Sequence, residues 1–178
     1  MKFKHKYSGL SLLELREKYG TGIGNFYDNT WWLGQSFAKE KAEPGIYEIN
    51  LDEESVNKTF REQEKGIRKG WSVANPTVAV ELALSGNEKV KNLLDKYWFR
   101  TSTLDSYGSR VGVRFCGGRL VVGYWWDGYR GDSLGVASSR KFQGNSKLEP
   151  SKLLNPCEDK EHLESVEKLE KIKELLEK

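Results

Sequence analysis

The chain has 178 residues, 31% of them charged, with a net charge of +3, two cysteines and two histidines, and a mean hydropathy of −0.68. That length buries roughly 70% of the unfolded surface, so one domain with a real core is expected without staples. The charge is too small for a dedicated nucleic-acid binder, and no run approaches the roughly 18 apolar residues of a membrane helix. The N-terminus has charges on both sides of a very short apolar segment, so no leader is expected and the chain reads as cytoplasmic, with no membrane partner. Cys116 and Cys157 read as reduced thiols, and with His5 and His162 they lack any ligand spacing, so neither a metal nor a cofactor is implied.

In chain order, Ser11 with Glu14 forms a capping box that opens a helix through Tyr19, stopped by Gly20. The glycines at 20, 22 and 24 superficially resemble a phosphate loop. A dinucleotide loop follows a strand and opens a helix, whereas this one follows a helix, so it reads as a turn. Phe26, Tyr27, Trp31 and Trp32 crowd together, as large rings do when they anchor an irregular segment to a core; an exposed recognition patch is the alternative. Ile46 to Leu51 alternates apolar and polar residues as a strand does. Thr59 with Glu62 caps a helix expected through Lys69, with Gly70 as its stop. Asn75-Pro76 opens a buried helix over Val78 to Ser85, closed by Gly86. Asn87 caps a third helix, Glu88 to Tyr97, and Trp98 to Leu104 is rich in strand formers.

The sharpest periodicity follows. Val111, Val113 and Phe115 alternate with Arg110, Gly112 and Arg114. After Cys116-Gly117-Gly118, Leu120, Val122, Tyr124 and Trp126 fall opposite Val121, Gly123 and Trp125. A third run after Asp127-Gly128 sets Leu134 and Val136 against Gly135, Ala137, Ser139 and Lys141. These three runs read as an antiparallel meander over 109–142. Beyond it, Asn155-Pro156 starts a long Glu/Lys/Leu helix. Its apolar stripe steps by threes and so drifts round the helix instead of keeping coiled-coil spacing. That helix is expected to pack on the domain over 151–178, with a homodimer through 156–178 as the alternative. The expected fold is a single α+β domain over 1–150: a mainly antiparallel sheet, helices on one face, and the charged C-terminal helix outside.

If the large apolar side chains of the meander face the core, its other face carries Gly112, Gly123 and Gly135, ringed by Arg110, Arg114, Trp125 and Lys141. Glycine inside a strand is costly unless a backbone or ligand comes close. Guanidinium groups would hold a carboxylate or phosphate, and an indole would stack. Seven bases against three acids between Trp98 and Phe142 fit an anionic partner. The seven residues are therefore the candidate ligand site for an anionic small molecule or peptide; the alternative is that part of the chain covers these glycines.

Gly131-Asp132-Ser133-Leu134 and Asp159-Lys160-Glu161-His162 spell the strings of the GDSL esterases. Only 25 residues separate Ser133 from Asp159, and a serine in an antiparallel turn lacks the elbow and oxyanion donors that acyl transfer needs. Arg130-Gly131-Asp132 also spells an adhesion tripeptide, which without a secretory signal reads as chance. Over 45–142, the order of Ile46, Asn57-x-Thr59, Gly70, Pro76, Trp125 and Leu134 to Ser138 resembles a family of bacterial domains of unknown function, a resemblance that implies no activity. No catalytic constellation stands at workable spacing, so a binding or scaffold module is the leading reading. An enzyme on an anionic small molecule, with Arg110 and Arg114 as clamps and Asp105 or Asp127 as proton acceptor, is second. Single-stranded nucleic-acid binding through Arg and Trp on a sheet is third and asks for more positive charge than the chain carries.

Overall fold

The structure is a computed structural model that describes residues 1–142. The helix expected over 156–178, its packing, the homodimer it could form, Cys157 and the Asp159–His162 string lie outside the described residues.

Local capping sets where the helices begin. In α1 (Leu12–Tyr19) the Ser11 side chain takes the Glu14 N–H, while the Glu14 carboxylate takes the Ser11 N–H at 2.7 Å. Thr59 and Glu62 repeat that exchange at α2 (Phe60–Lys65). Asn75 caps α3 (Pro76–Ala83) and Asn87 caps α4 (Glu88–Lys96). Each start is where the sequence places it. Helix α2 stops four residues earlier than Gly70 predicts, because the Gly66 N–H already closes on the Gln63 and Glu62 carbonyls.

The strands are β1 (Lys2–Tyr7), β2 (Gly45–Asp52), the two-residue β3 (Ser72–Val73), β4 (Trp98–Leu104), β5 (Arg110–Cys116), β6 (Arg119–Trp125) and β7 (Leu134–Lys141). They form one mostly antiparallel sheet in the order β1-β2-β7-β4-β5-β6, with β3 paired to β7. The domain is thus α+β, as expected. Strand β1 is an addition: Phe3, His5 and Tyr7 alternate with Lys2, Lys4 and Lys6, the lysine-rich pattern of an edge strand that resists pairing with other chains.

The meander needs correction at its third run. Strands β5 and β6 form the expected hairpin, with Gly112 opposite Gly123. Strand β7 leaves it, inserting between β2 and β4 and running parallel to β4, with Phe99 level with Gly135. Parallel strands cannot be joined by a tight turn. The eight residues from Trp126 to Ser133 are accordingly a crossover, not a hairpin turn.

The main core lies on the face that carries Phe99, Val111, Val113, Phe115, Leu120 and Val122. Against it pack α1, α4 and α3, the last buried at all eight positions. Each such leucine, valine or phenylalanine side chain contributes about 1.5–3 kcal/mol by leaving water. Phe26 and Trp32 are fully buried, so the N-terminal aromatic segment is an anchor. It also closes part of the outer edge of β6. The Leu120 N–H and C=O pair with Asn25 and Tyr27, and the Val122 carbonyl accepts from Asn29 Nδ2 and Trp31 Nε1.

The opposite face is covered by the segment that leaves β2, including α2. Here Arg100, with no exposed surface, donates to the carbonyls of Lys58, Trp126 and Tyr129 and to Gln63 Oε1 at 2.8–3.3 Å. Burial lowers its pKa to about 10, so it stays charged at neutral pH. The helices therefore do not share one face: α2 lies on the side that Arg100 clamps.

Two outcomes are expected. Arg100→Lys destabilises the fold by about 3 kcal/mol, because one ammonium cannot serve four acceptors held in a fork and buried carbonyls are left unpaired; an unchanged denaturant midpoint would disprove the clamp. The second concerns acid. Glu14 is lowered from 4.5 to about 2, chiefly by Lys41, and Glu62 is lowered equally, chiefly by the Thr59 N–H and then by Arg130. A carboxylate lowered on folding stabilises above its ordinary pKa, and that contribution is lost as pH falls toward the folded value. A Glu14→Gln, Glu62→Gln double variant should therefore lose less stability between about pH 5 and about pH 3 than the parent; urea midpoints falling equally in both proteins would contradict it.

Candidate functional site

The seven residues expected to frame a glycine-floored cleft are split between the two faces of the sheet. Arg110, Gly112 and Arg114 lie level with Trp125, Gly123 and Val121, so five of the seven share the face away from the main core. Gly135 is level with Phe99, and Lys141 with Tyr47, on the core side. The parallel insertion of β7 shifts its alternation relative to the hairpin, which puts Gly135 and Lys141 out of phase with the rest.

Nor is the floor open. A Cβ on Gly123 would stand 2.6 and 2.7 Å from two ring carbons of Trp98, and one on Gly112 would stand 3.4 Å from Trp125 Cδ1. The paired glycines form a trough in which the edges of two indoles sit, with the rings 5.8 Å apart and edge to face. Gly135 makes room for a backbone and a ring: its Cβ would meet the Asp52 carbonyl oxygen at 2.5 Å and Phe99 at 3.1 Å. Close approach explains all three glycines, but what approaches is the protein's own chain.

The cations are occupied as well. Arg110 is paired with Asp127 at 3.1 Å, donates to the Ser102 carbonyl at 2.6 Å and stacks 3.9 Å from the Phe60 ring centre. Arg114 donates to the carbonyls of Phe115 and Asp95, both at 2.8 Å, and lies over Trp98. Lys141 is paired with Glu43 at 2.7 Å, which raises the lysine pKa and lowers that of the carboxylate. Asp105 Oδ1 accepts the Tyr107 and Ser109 N–H groups of its own turn. These contacts hold the fold and leave the clamp assignments without free cations; of the two proposed proton acceptors Asp127 is paired with Arg110, and Asp105 keeps Oδ2 without a partner, though buried.

An indole between cations does occur elsewhere, at a place that sequence reasoning missed. A hollow of about 180 Å³ is bounded by Lys2, Asn50 and Asp52, by Ser138 of β7, and by the loop after α2 with Gly66, Ile67, Arg68 and Trp71. Lys2 Nζ lies 5.5 Å and Arg140 Cζ 5.4 Å from the Trp71 ring centre. Arg140 is held there by Glu48. Among the described residues neither Lys2 nor Arg68 has a carboxylate within ion-pair distance, and both are exposed. Asp52, the acid in the lining, turns Oδ1 to the Glu54 N–H at 3.2 Å. Lys2 opposes Asn50, and Asn50 opposes Ser138, across three adjacent strands, so the floor is rigid sheet. A signal was present: the alternation of Lys2 to Tyr7 marks a strand and so places Lys2 on a face. What brings Trp71 to it is the early end of α2.

The chain matches no protein-family model, no curated protein and no solved structure. The resemblance over 45–142 therefore supplies no further assignment. Among the described residues no group of three His, Cys, Asp or Glu could hold a metal ion, and no helix is long and apolar enough to cross a membrane.

If the glycines seat the indoles, Gly123→Ala should destabilise by about 1–3 kcal/mol, because a rigid ring cannot yield as a flexible side chain does. In a Trp98→Ala background most of that loss should vanish. Denaturant midpoints of the four proteins decide it, and strictly additive losses would count against the seating.

Proposed function

We propose that the chain is a non-catalytic binding module for a small anionic ligand, taken in the Trp71 hollow and not over the strand glycines. The observation that carries this is that Lys2 and Arg68, both free of carboxylate partners among the described residues, line one hollow with the Trp71 indole, over which Lys2 lies. Such a site offers charge-assisted hydrogen bonds to a carboxylate or phosphate and a flat apolar surface for what the anion is attached to. Arg140, fixed by Glu48, lies 5.4 Å from the indole centre and adds positive potential. The net positive charge of the chain favours the encounter.

The test is thermal shift and calorimetry with inorganic phosphate, citrate and adenosine monophosphate. At least one should stabilise the protein, by about 2.7 kcal/mol at a hundredfold excess over its dissociation constant, and the effect should weaken with salt. Arg68→Ala should weaken that ligand about tenfold, and Arg114→Lys should leave it unchanged. No stabilisation by any of the three, or equal binding by Arg68→Ala, rules the site out.

A further inference from the structure

A second surface is independent of the Trp71 hollow. Leu104, Tyr107, Tyr124, Trp126 and Tyr129, all 39–88% exposed, gather where β4 ends, β5 begins and β6 ends. Apolar side chains left in water together mark a binding surface more often than scattered ones do. Within the cluster lies a hollow of about 280 Å³, lined by Ser109, Tyr124, Trp125, Trp126 and Tyr129 and by no charged side chain.

Two of the four rings stack, and the other two pack on neither of them. Trp125 and Tyr129 stack at 5.0 Å and 23° as one wall. Tyr124 is braced edge-on by Trp31 at 4.9 Å. Trp126 is 69% exposed and packs on no ring among the described residues.

Electrostatics narrows the ligand. The lysines and arginines of this chain lie over seven rings elsewhere: Tyr19, Tyr27, Phe60, Trp71, Trp98, Trp32 and Phe142. Among the described residues none covers Tyr124, Trp125, Trp126 or Tyr129. Ring faces attract cations, Trp most strongly. Asp127, next to Trp126 and half exposed, is matched by Arg110 and lies outside the lining, so the rings themselves supply the attraction for a cation. A plain ammonium is a strongly hydrated point charge that is best served by charged acceptors, and the lining, four rings with three neutral hydroxyls, holds none. An alkylated ammonium keeps the charge, needs no acceptor and presents methyl groups to the rings.

We propose that this hollow binds a trimethylammonium group, carried by a free small molecule or by a methylated lysine side chain. The test uses the full chain, titrated by calorimetry and by NMR with choline, with its neutral isostere 3,3-dimethylbutan-1-ol, and with a trimethyl-lysine peptide beside its unmodified form. Choline or the trimethylated peptide should bind with a dissociation constant of about 1 mM or below. The neutral or unmodified counterpart should bind at least about tenfold more weakly. Trp126→Ala should abolish binding and Trp126→Phe keep part of it, with melting temperatures near the parent value because Trp126 packs on no other ring. A peptide at least tenfold tighter than choline identifies lysine as the source, and the reverse identifies a small molecule. No binding of either at about 20 mM overturns the proposal, as does an isostere that matches choline, the behaviour of a plain apolar patch.

Discussion

The buried guanidinium of Arg100 is the contact on which the second layer of the fold depends. A charge removed from water needs hydrogen bonds in place of hydration. Here the two terminal nitrogens find acceptors in Lys58 before α2, Gln63 within it, and Trp126 and Tyr129 in the crossover, while Nε is buried without a partner. Neighbouring contacts repeat the stitch: the Phe60 N–H reaches the Asp127 carbonyl, the Asn57 N–H reaches that of Gly131, and Arg130 bridges to Glu62. The α2 segment and the crossover are thus fixed to β4 through one side chain, and neither can lift away without stranding a charge in the interior.

The same fixation governs which side chains stay exposed. By holding the crossover over the sheet, Arg100 brings Tyr129 against Trp125 and Asp127 against Arg110. The positive excess between Trp98 and Phe142 is real, but much of it is matched internally by carbonyls, carboxylates and rings. A local surplus of arginine therefore describes composition, and only geometry says whether a guanidinium faces a ligand or its own backbone.

Among the described residues two unmatched surfaces stand out, and they differ in kind. One, over β1, β2 and β7, combines an indole with exposed cations on rigid sheet. The other, at the open end of the β5–β6 hairpin, is aromatic and uncharged. They lie toward the two ends of the strand order, with the Arg100 clamp between them. The sheet between them keeps the two surfaces at fixed spacing.

The amino-acid sequence alone determined whatever is encoded within a few residues. The caps at Ser11, Thr59, Asn75 and Asn87 fixed four helix starts, and alternation identified β2, β5 and β6 and the hairpin between the last two. These are short-range contacts whose partners sit at set offsets. The same alternation was present in Lys2 to Tyr7, where lysine at every second position masked it. The candidate site was legible in its ingredients, glycine making room beside indole and arginine, but not in its meaning. A glycine reports that something comes close without saying whether it is a ligand or Trp98. Only the tertiary structure decided that β7 joins β4 in parallel, that Gly135 and Lys141 lie on the other face from Gly112, and that Trp71 meets Lys2. Each of those outcomes depends on pairing between strands far apart in the chain, and on a one-residue phase that local pattern cannot set across an eight-residue crossover.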